Sequence, residues 1–115
     1  MHEYSVVQAL LNQCEDIAKK NNATTIHKVT TKIGIMSGIE PHLLQIAFDT
    51  FKENTMCHKA KFIINKQNLK LQCKECNHIF EIKEVRYFCI KCESLKVKVL
   101  DGEDMYLMSL EMDGT

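Results

Sequence analysis

Cys73-Lys74-Glu75-Cys76 and Cys89-Ile90-Lys91-Cys92 decide how this chain is read. Twelve residues separate the two pairs. A C-x₂-C step lets two sulfurs from one tight turn meet the same ion. Two such turns supply four sulfurs tetrahedrally, at about 2.3 Å from a zinc ion. Zinc suits the task because it is redox-inert and keeps coordinating thiols deprotonated. Four protein ligands leave no open position for a substrate, so Cys73, Cys76, Cys89 and Cys92 predict a structural Zn(II) site. A dithiol oxidoreductase would instead place C-x-x-C near a β-α-β unit. Here the pairs flank the strand-like Ile79-Phe80-Glu81-Ile82. An iron–sulfur cluster also accepts four thiolates, but these ribbon spacings favour zinc. His78 reads as a loop residue or an outer neighbour of the site rather than a ligand.

Residues 69–100 around the quartet hold too few apolar side chains for an independent core, and a module of about 30 residues usually needs a metal or disulfides to fold. The flanks read differently. Val7, Leu10, Leu11, Cys14, Ile17 and Ala18 recur at helical spacing, predicting a helix over 5–20. Ser5 with Gln8 fits a capping box, which leaves 1–4 as a free arm. Val29, Thr31, Ile33 and Ile35 alternate with Lys28, Thr30, Lys32 and Gly34, predicting a strand over 26–36. Pro41 fits the first position of a second helix, with Glu40 extended before it. Leu44, Ala47, Phe48 and Phe51 make that helix's apolar face, which runs to about residue 55. Residues 61–65 read as a second strand. After the turn signal Asp101-Gly102, residues 105–112 read as a third, with Tyr106, Met108, Leu110 and Met112 on one face. The expected fold is α+β: two helices on a small three-stranded sheet, with a zinc-ribbon module inserted before the last strand. Residues 1–66 and 103–115 would form one domain and 67–102 the other.

The chain has 115 residues and zero formal net charge, with 4 glycines, 1 proline and no tryptophan. That excludes collagen-like and low-complexity classes, and no apolar run approaches a membrane span. The start, Met1-His2-Glu3-Tyr4-Ser5, lacks the pattern of a signal peptide. The expectation is a cytoplasmic protein with reduced thiols. Cys14 then belongs to a core. Cys57-His58 reads as a loop pair, with a transient metal site as the alternative. Between Lys59 and Lys98 there are ten bases against four acids, and the rest carries five bases against eleven acids. The middle segment invites a nucleic-acid reading, but its aromatic residues form no stacking array. No Ser-His-Asp set, phosphate loop or open metal site points to an enzyme.

Met1-His2-Glu3 offers a second metal chemistry. An initiator methionine is removed only before small residues, so Met1 stays ahead of His2. A divalent ion held by the α-amine can displace the protons of the His2 and Glu3 amides. With the imidazole these make a nearly planar nitrogen set, which selects nickel(II) or copper(II) over zinc, magnesium or calcium.

The start Met1-His2-Glu3-Tyr4-Ser5, the segment Ile33-Gly34-Ile35-Met36-Ser37-Gly38-Ile39-Glu40-Pro41, the cysteine quartet and the tail Ser109-Leu110-Glu111-Met112 together resemble the HypA family of hydrogenase nickel-incorporation proteins. The resemblance spans essentially the whole chain. It implies a metallochaperone rather than an enzyme. Ni(II) is the cargo, held through His2 and backbone nitrogens with Met1 and Glu3. Zn(II) is held by Cys73, Cys76, Cys89 and Cys92. The implied partners are a nickel-binding GTPase of the HypB type and the large subunit of [NiFe] hydrogenase; some members also supply urease through its accessory proteins. No nucleic acid or membrane is implied. Some members carry a histidine just after each cysteine pair. Here His78 follows the first pair and Glu93-Ser94 the second, so a paired exchange of cysteine for histidine lacks one partner.

Overall fold

The first helix starts earlier than its capping signal suggests. The computed structural model describes residues 2–114, with side chains from Glu3 onward. In it α1 spans His2–Lys20, with Glu3 in its first turn and Lys19 and Lys20 in its last. Both charges suit the helix dipole. Ser5 is therefore inside the helix, and the expected free arm over 1–4 is corrected for residues 2–4. Tyr4 supplies a physical reason: its ring meets Phe51 edge-on, with centroids 4.7 Å apart. Val7, Leu10, Leu11, Cys14 and Ala18 are buried, as their spacing predicts, and Ile17 is half-buried.

The remaining elements are β1 (Ala23–Gly34), α2 (Pro41–Phe51), β2 (Lys61–Gln67), β3 (Leu69–Cys73), β4 (Ile79–Ile82), β5 (Val97–Asp101) and β6 (Met105–Gly114). One sheet has the order β2-β1-β6 and the other β4-β3-β5. The chain forms two compact units. One comprises the chain up to Lys32, Ile39–Asn65 and the chain from Tyr106; the other comprises Ile33–Gly38 and Lys66–Met105.

In the first unit β1 is the central strand. Val29 and Thr31 are buried there; Ile33, also buried, and the exposed Ile35 beyond the strand belong to the second unit. Thr31 is fully buried, and its hydroxyl donates to the Ile63 carbonyl at 3.2 Å, which removes the cost of burying it. Helix α2 begins at Pro41, after an extended Glu40 (φ −86°, ψ 114°) whose carboxylate accepts from the His42 amide. It stops at Phe51, short of residue 55: Lys52 still donates to the Phe48 carbonyl as the C-cap, and Asn54 then turns left-handed (φ 65°), which the helix cannot follow. Leu44, Ala47 and Phe48 are buried, and Phe48 stacks on Phe62 at 4.2 Å.

Strand β6 departs from its expected pattern. Tyr106 and Met108 are 45% and 54% exposed, while Met105, Leu107, Leu110 and Met112 are half-buried. Two successive exposed residues, Met108 and Ser109, shift the alternation, so one face does not stay inward along the strand. As an edge strand, β6 has a neighbour on one side only.

In the second unit β3 pairs antiparallel with both β4 and β5, with an irregularity between Lys70 and Leu71. The sequence pattern had marked only the β4 segment. The unit's core is small: Leu69, Leu71, Cys73, Phe80 and Cys89, with Ile82, Val97 and Val99 against it. Such a core needs further support. Gly34 and Gly102 meet closely here. A Cβ on Gly34 would stand 2.2 Å from the Gly102 carbonyl, and Gly102 has φ +107°. Only glycine fits at both positions.

Candidate metal centres

The four ribbon cysteines come together. Their sulfurs lie within 4.8 Å of one another, and none is in a disulfide. Cys73 and Cys92 approach to 3.6 Å, and Cys76 and Cys89 to 3.7 Å. A tetrahedral ion with 2.3 Å bonds to sulfur requires sulfur–sulfur edges of about 3.8 Å. The residues therefore fit such an ion.

Two knuckles of matching design build the site. Cys73 sits at the end of β3, and the Glu75 and Cys76 amides both donate to its sulfur at 3.4 Å. The Lys91 and Cys92 amides do the same for Cys89, also at 3.4 Å. Each turn closes alike: Asn77 donates to the Cys73 carbonyl and Glu93 to that of Cys89. Cys73 donates in turn to His78, and Cys89 to Ser94. The inner cysteines, Cys73 and Cys89, are buried, while Cys76 and Cys92 are exposed.

This arrangement sorts the thiols. The Cys76 amide above all, with that of Glu75, outweighs burial and holds Cys73 down to about 6. For Cys89 desolvation is the largest influence and opposes ionisation. The Cys92 and Lys91 amides together still keep the thiol below its ordinary value. The Ser94 amide pulls Cys92 down, but hydrogen bonding with Cys73 and the other sulfurs lifts it to about 12. Cys76 is likewise raised against the His78 amide. The inner thiols of the two knuckles thus lose their protons more readily than the outer ones, whose protons a metal must displace. The His78 ring stacks on Phe80, with centroids 5.6 Å apart.

The expected nickel ligands are only partly in view. Met1 and the His2 side chain lie outside the described residues. The Glu3 carboxylate accepts from the Glu40 amide at 3.4 Å, and the Glu40 carboxylate accepts from the His42 amide at 3.0 Å. The starts of α1 and α2 are thus linked through two adjacent acids. The Glu40-Pro41 cap was readable in the sequence; its approach to Glu3, 37 residues away, was not. Leu43 and Ile46, both about half exposed, flank Tyr4 and Phe51 in a shallow groove of about 170 Å³ beside Glu3.

Charge in the folded second unit differs from charge along the sequence. Ile33–Gly38 and Lys66–Met105 together hold eight basic and seven acidic side chains, since Asp101, Glu103 and Asp104 join the lysines. With four thiolates and a divalent ion the unit is slightly acidic. This removes the electrostatic basis for a nucleic-acid module.

Comparison with known proteins agrees across the whole chain. Residues 1–112 match the family described as "Hydrogenase/urease nickel incorporation, metallochaperone, hypA". The "Hydrogenase maturation factor HypA" of Aquifex aeolicus (strain VF5) is 46% identical over 113 residues, covering 98% of each chain. The protein of the same name from Shewanella baltica (strain OS195) is 49% identical, covering 98% of this chain and 97% of that one. The solution structure of the Ni metallochaperone HypA from Helicobacter pylori superposes with a TM-score of 0.73 at 39% identity, covering 98% of both chains. An α+β unit and a second unit carrying a four-cysteine cluster, matched in sequence and fold over 98% of the chain, make this chain a member of the HypA family of nickel-incorporation metallochaperones, a maturation factor for hydrogenase and not an enzyme.

Proposed function

We propose that the chain binds Ni(II) at its amino terminus and hands it to the large subunit of [NiFe] hydrogenase, working with a nickel-binding GTPase of the HypB type. The ligands are the Met1 amine, the His2 imidazole and the His2 and Glu3 amide nitrogens, with the Glu3 carboxylate as a weak extra contact. Zn(II) at Cys73, Cys76, Cys89 and Cys92 is structural and holds the small ribbon core together.

The observation that supports this reading is that α1 starts at His2. The first amides of a helix have no acceptor within it. The His2 and Glu3 nitrogens can therefore lose their protons without breaking the helical ladder. The positive end of the helix dipole favours the resulting anionic nitrogens. Release is served by the same chemistry, because protons return to the amine and amides and weaken the site. The Tyr4–Phe51 contact anchors the turn behind the ligands, so few residues need move during transfer.

The test is a nickel titration by calorimetry, with an absorption spectrum, on untagged protein. It is run beside His2→Ala and beside a chain extended by Gly-Ser before Met1. Loss of tight binding in both, with zinc content unchanged, supports a terminal site. Unchanged binding in both sinks it. The family description covers urease as well as hydrogenase; hydrogenase and urease activities in cells carrying His2→Ala separate the two clients.

A further inference from the structure

Helix α2 is apolar on two faces and covered on one. Leu44, Ala47 and Phe48 are buried in the first unit, while Leu43 and Ile46 are 49% and 50% exposed. These two lie three positions apart, with Thr50 four further on, so they form one outward stripe. Tyr4, 43% exposed, brings the start of α1 alongside through its contact with Phe51. The shallow groove described above runs between the two helices. Tyr4, Leu43, Ile46 and Phe51 supply its apolar lining, and Glu3 lines it too.

We propose that this groove receives an amphipathic helix of a partner protein, its apolar side chains against Leu43 and Ile46 and its lysines or arginines towards Glu3 and Glu40.

Size, shape and charge select that occupant. At about 170 Å³ the groove is smaller than an ordinary small-molecule site. Its walls are side chains of two helices, so it offers no sheet edge to an extended strand. A third helix can instead lay its side chains between those of α1 and α2. Charge then sets the sign of the partner. Residues 4–18 and 33–51 contain no lysine or arginine. Glu3 lines the groove, and the Glu40 amide donates to its carboxylate at 3.4 Å, which brings a second acid beside the first. Lys52, just past α2, is engaged elsewhere: its ammonium bonds the Ala60 carbonyl at 3.3 Å and pairs with Asp49 at 3.6 Å. A second copy presenting the same face would set its own Glu3 and Glu40 against these two, a like-charge contact. A basic helix meets complementary charge and covers the exposed stripe. The use of the groove, holding a partner beside the terminal nickel during transfer, rests on the function proposed above.

The test titrates zinc-loaded, nickel-free, full-length protein with a model peptide of about 18 residues, long enough to be helical. The peptide carries leucine at i, i+3, i+4 and i+7 and lysine elsewhere. A second peptide has glutamate in place of every lysine. Backbone amide NMR shifts locate binding, and sedimentation reports the oligomeric state. The expected result is that the lysine peptide shifts residues 3–4 and 43–51, and that the glutamate peptide binds at least several-fold more weakly. The double variant Leu43→Ser with Ile46→Ser should weaken the lysine peptide about tenfold, because two half-exposed aliphatic side chains are no longer covered. Both changes are at exposed positions, so its melting temperature and zinc content should match the wild type. The proposal is overturned if the lysine peptide does not bind, if its shifts centre on the ribbon residues Ile90 and Leu95, or if the two peptides bind equally. It is also overturned if the double variant binds as the wild type does, or if the groove proves to be covered by a second copy in a dimer that the double variant breaks. Failure of the terminal nickel site would show in the His2→Ala titration and not here, since no nickel is present.

Discussion

Asn77 and Glu93 adopt the same left-handed conformation, with φ of 65° and 64°, each one residue beyond the second cysteine of its pair. Asparagine tolerates that region; glutamate pays a steric cost there. The two knuckles share a backbone design but not an equally suited residue. Glu93→Asn should raise stability by about 0.5–1 kcal/mol. A denaturant melt of the zinc-loaded protein measures it, and a loss of stability would mean that the Glu93 side chain makes a contribution outweighing the strain.

Gly34→Ala should be severe. The added methyl would stand 2.2 Å from the Gly102 carbonyl and 2.8 Å from the Glu103 amide, both backbone atoms. Backbone cannot swing aside as a side chain can, so the expected cost is about 3 kcal/mol or more. Equilibrium unfolding reads it. A variant as stable as the wild type would mean that Ile33–Gly38 does not hold its place against Gly102.

Zinc binding should be proton-linked in an uneven way. Cys73 is an acid held below its ordinary value of 9, down to about 6. Its contribution to stability is therefore complete above pH 9 and lost as pH falls through about 6. With Cys89 lowered as well, and Cys76 and Cys92 raised, loading zinc near neutral pH should release fewer than four protons, rising toward four in acid. Calorimetry in buffers of different ionisation enthalpy counts them. Four protons at neutral pH would show that the amide–sulfur bonds do not hold Cys73 ionised.

Tyr4→Ala should loosen the start of α1. Loss of the edge-on contact with Phe51 costs about 1 kcal/mol. Zinc content should stay the same while nickel affinity falls several-fold, because the terminal turn is no longer anchored. Tyr4→Phe keeps the ring and should keep both. Equal nickel affinity in Tyr4→Ala would mean that helical order at the terminus is irrelevant to the nickel ligands.

Local pattern was enough for the elements whose signals lie within a few residues. The stripe from Val7 to Ala18 marked α1 because helical spacing brings those side chains to one face. Pro41 marked the start of α2 because a missing amide hydrogen is harmless there. The cysteine pairs marked the knuckles because C-x₂-C is itself a turn. The start of α1 was misplaced by three residues: Ser5 carries a capping signal, but the contact with Phe51, on another helix, keeps the turn before it helical.

Tertiary structure alone decided what depends on distant partners. Strands β3 and β5 are only five residues each; Leu69, Leu71 and Cys73 alternate with Lys70 and Gln72, but so short a run becomes a strand only through pairing, β3 with both β4 and β5. The link from Glu3 to Glu40 and the bond from the Met56 amide to the Glu15 carboxylate join residues about 40 positions apart, which no local spacing encodes. Charge followed the same rule: the lysine-rich stretch became a near-neutral unit once the fold placed Asp101, Glu103 and Asp104 in it. Periodicity and turn chemistry act within a few residues, so sequence alone determined the presence of the two helices and of the two cysteine turns. Strand pairing, side-chain partners across the core and the local sum of charge arise between segments, and only the folded chain brought those segments together.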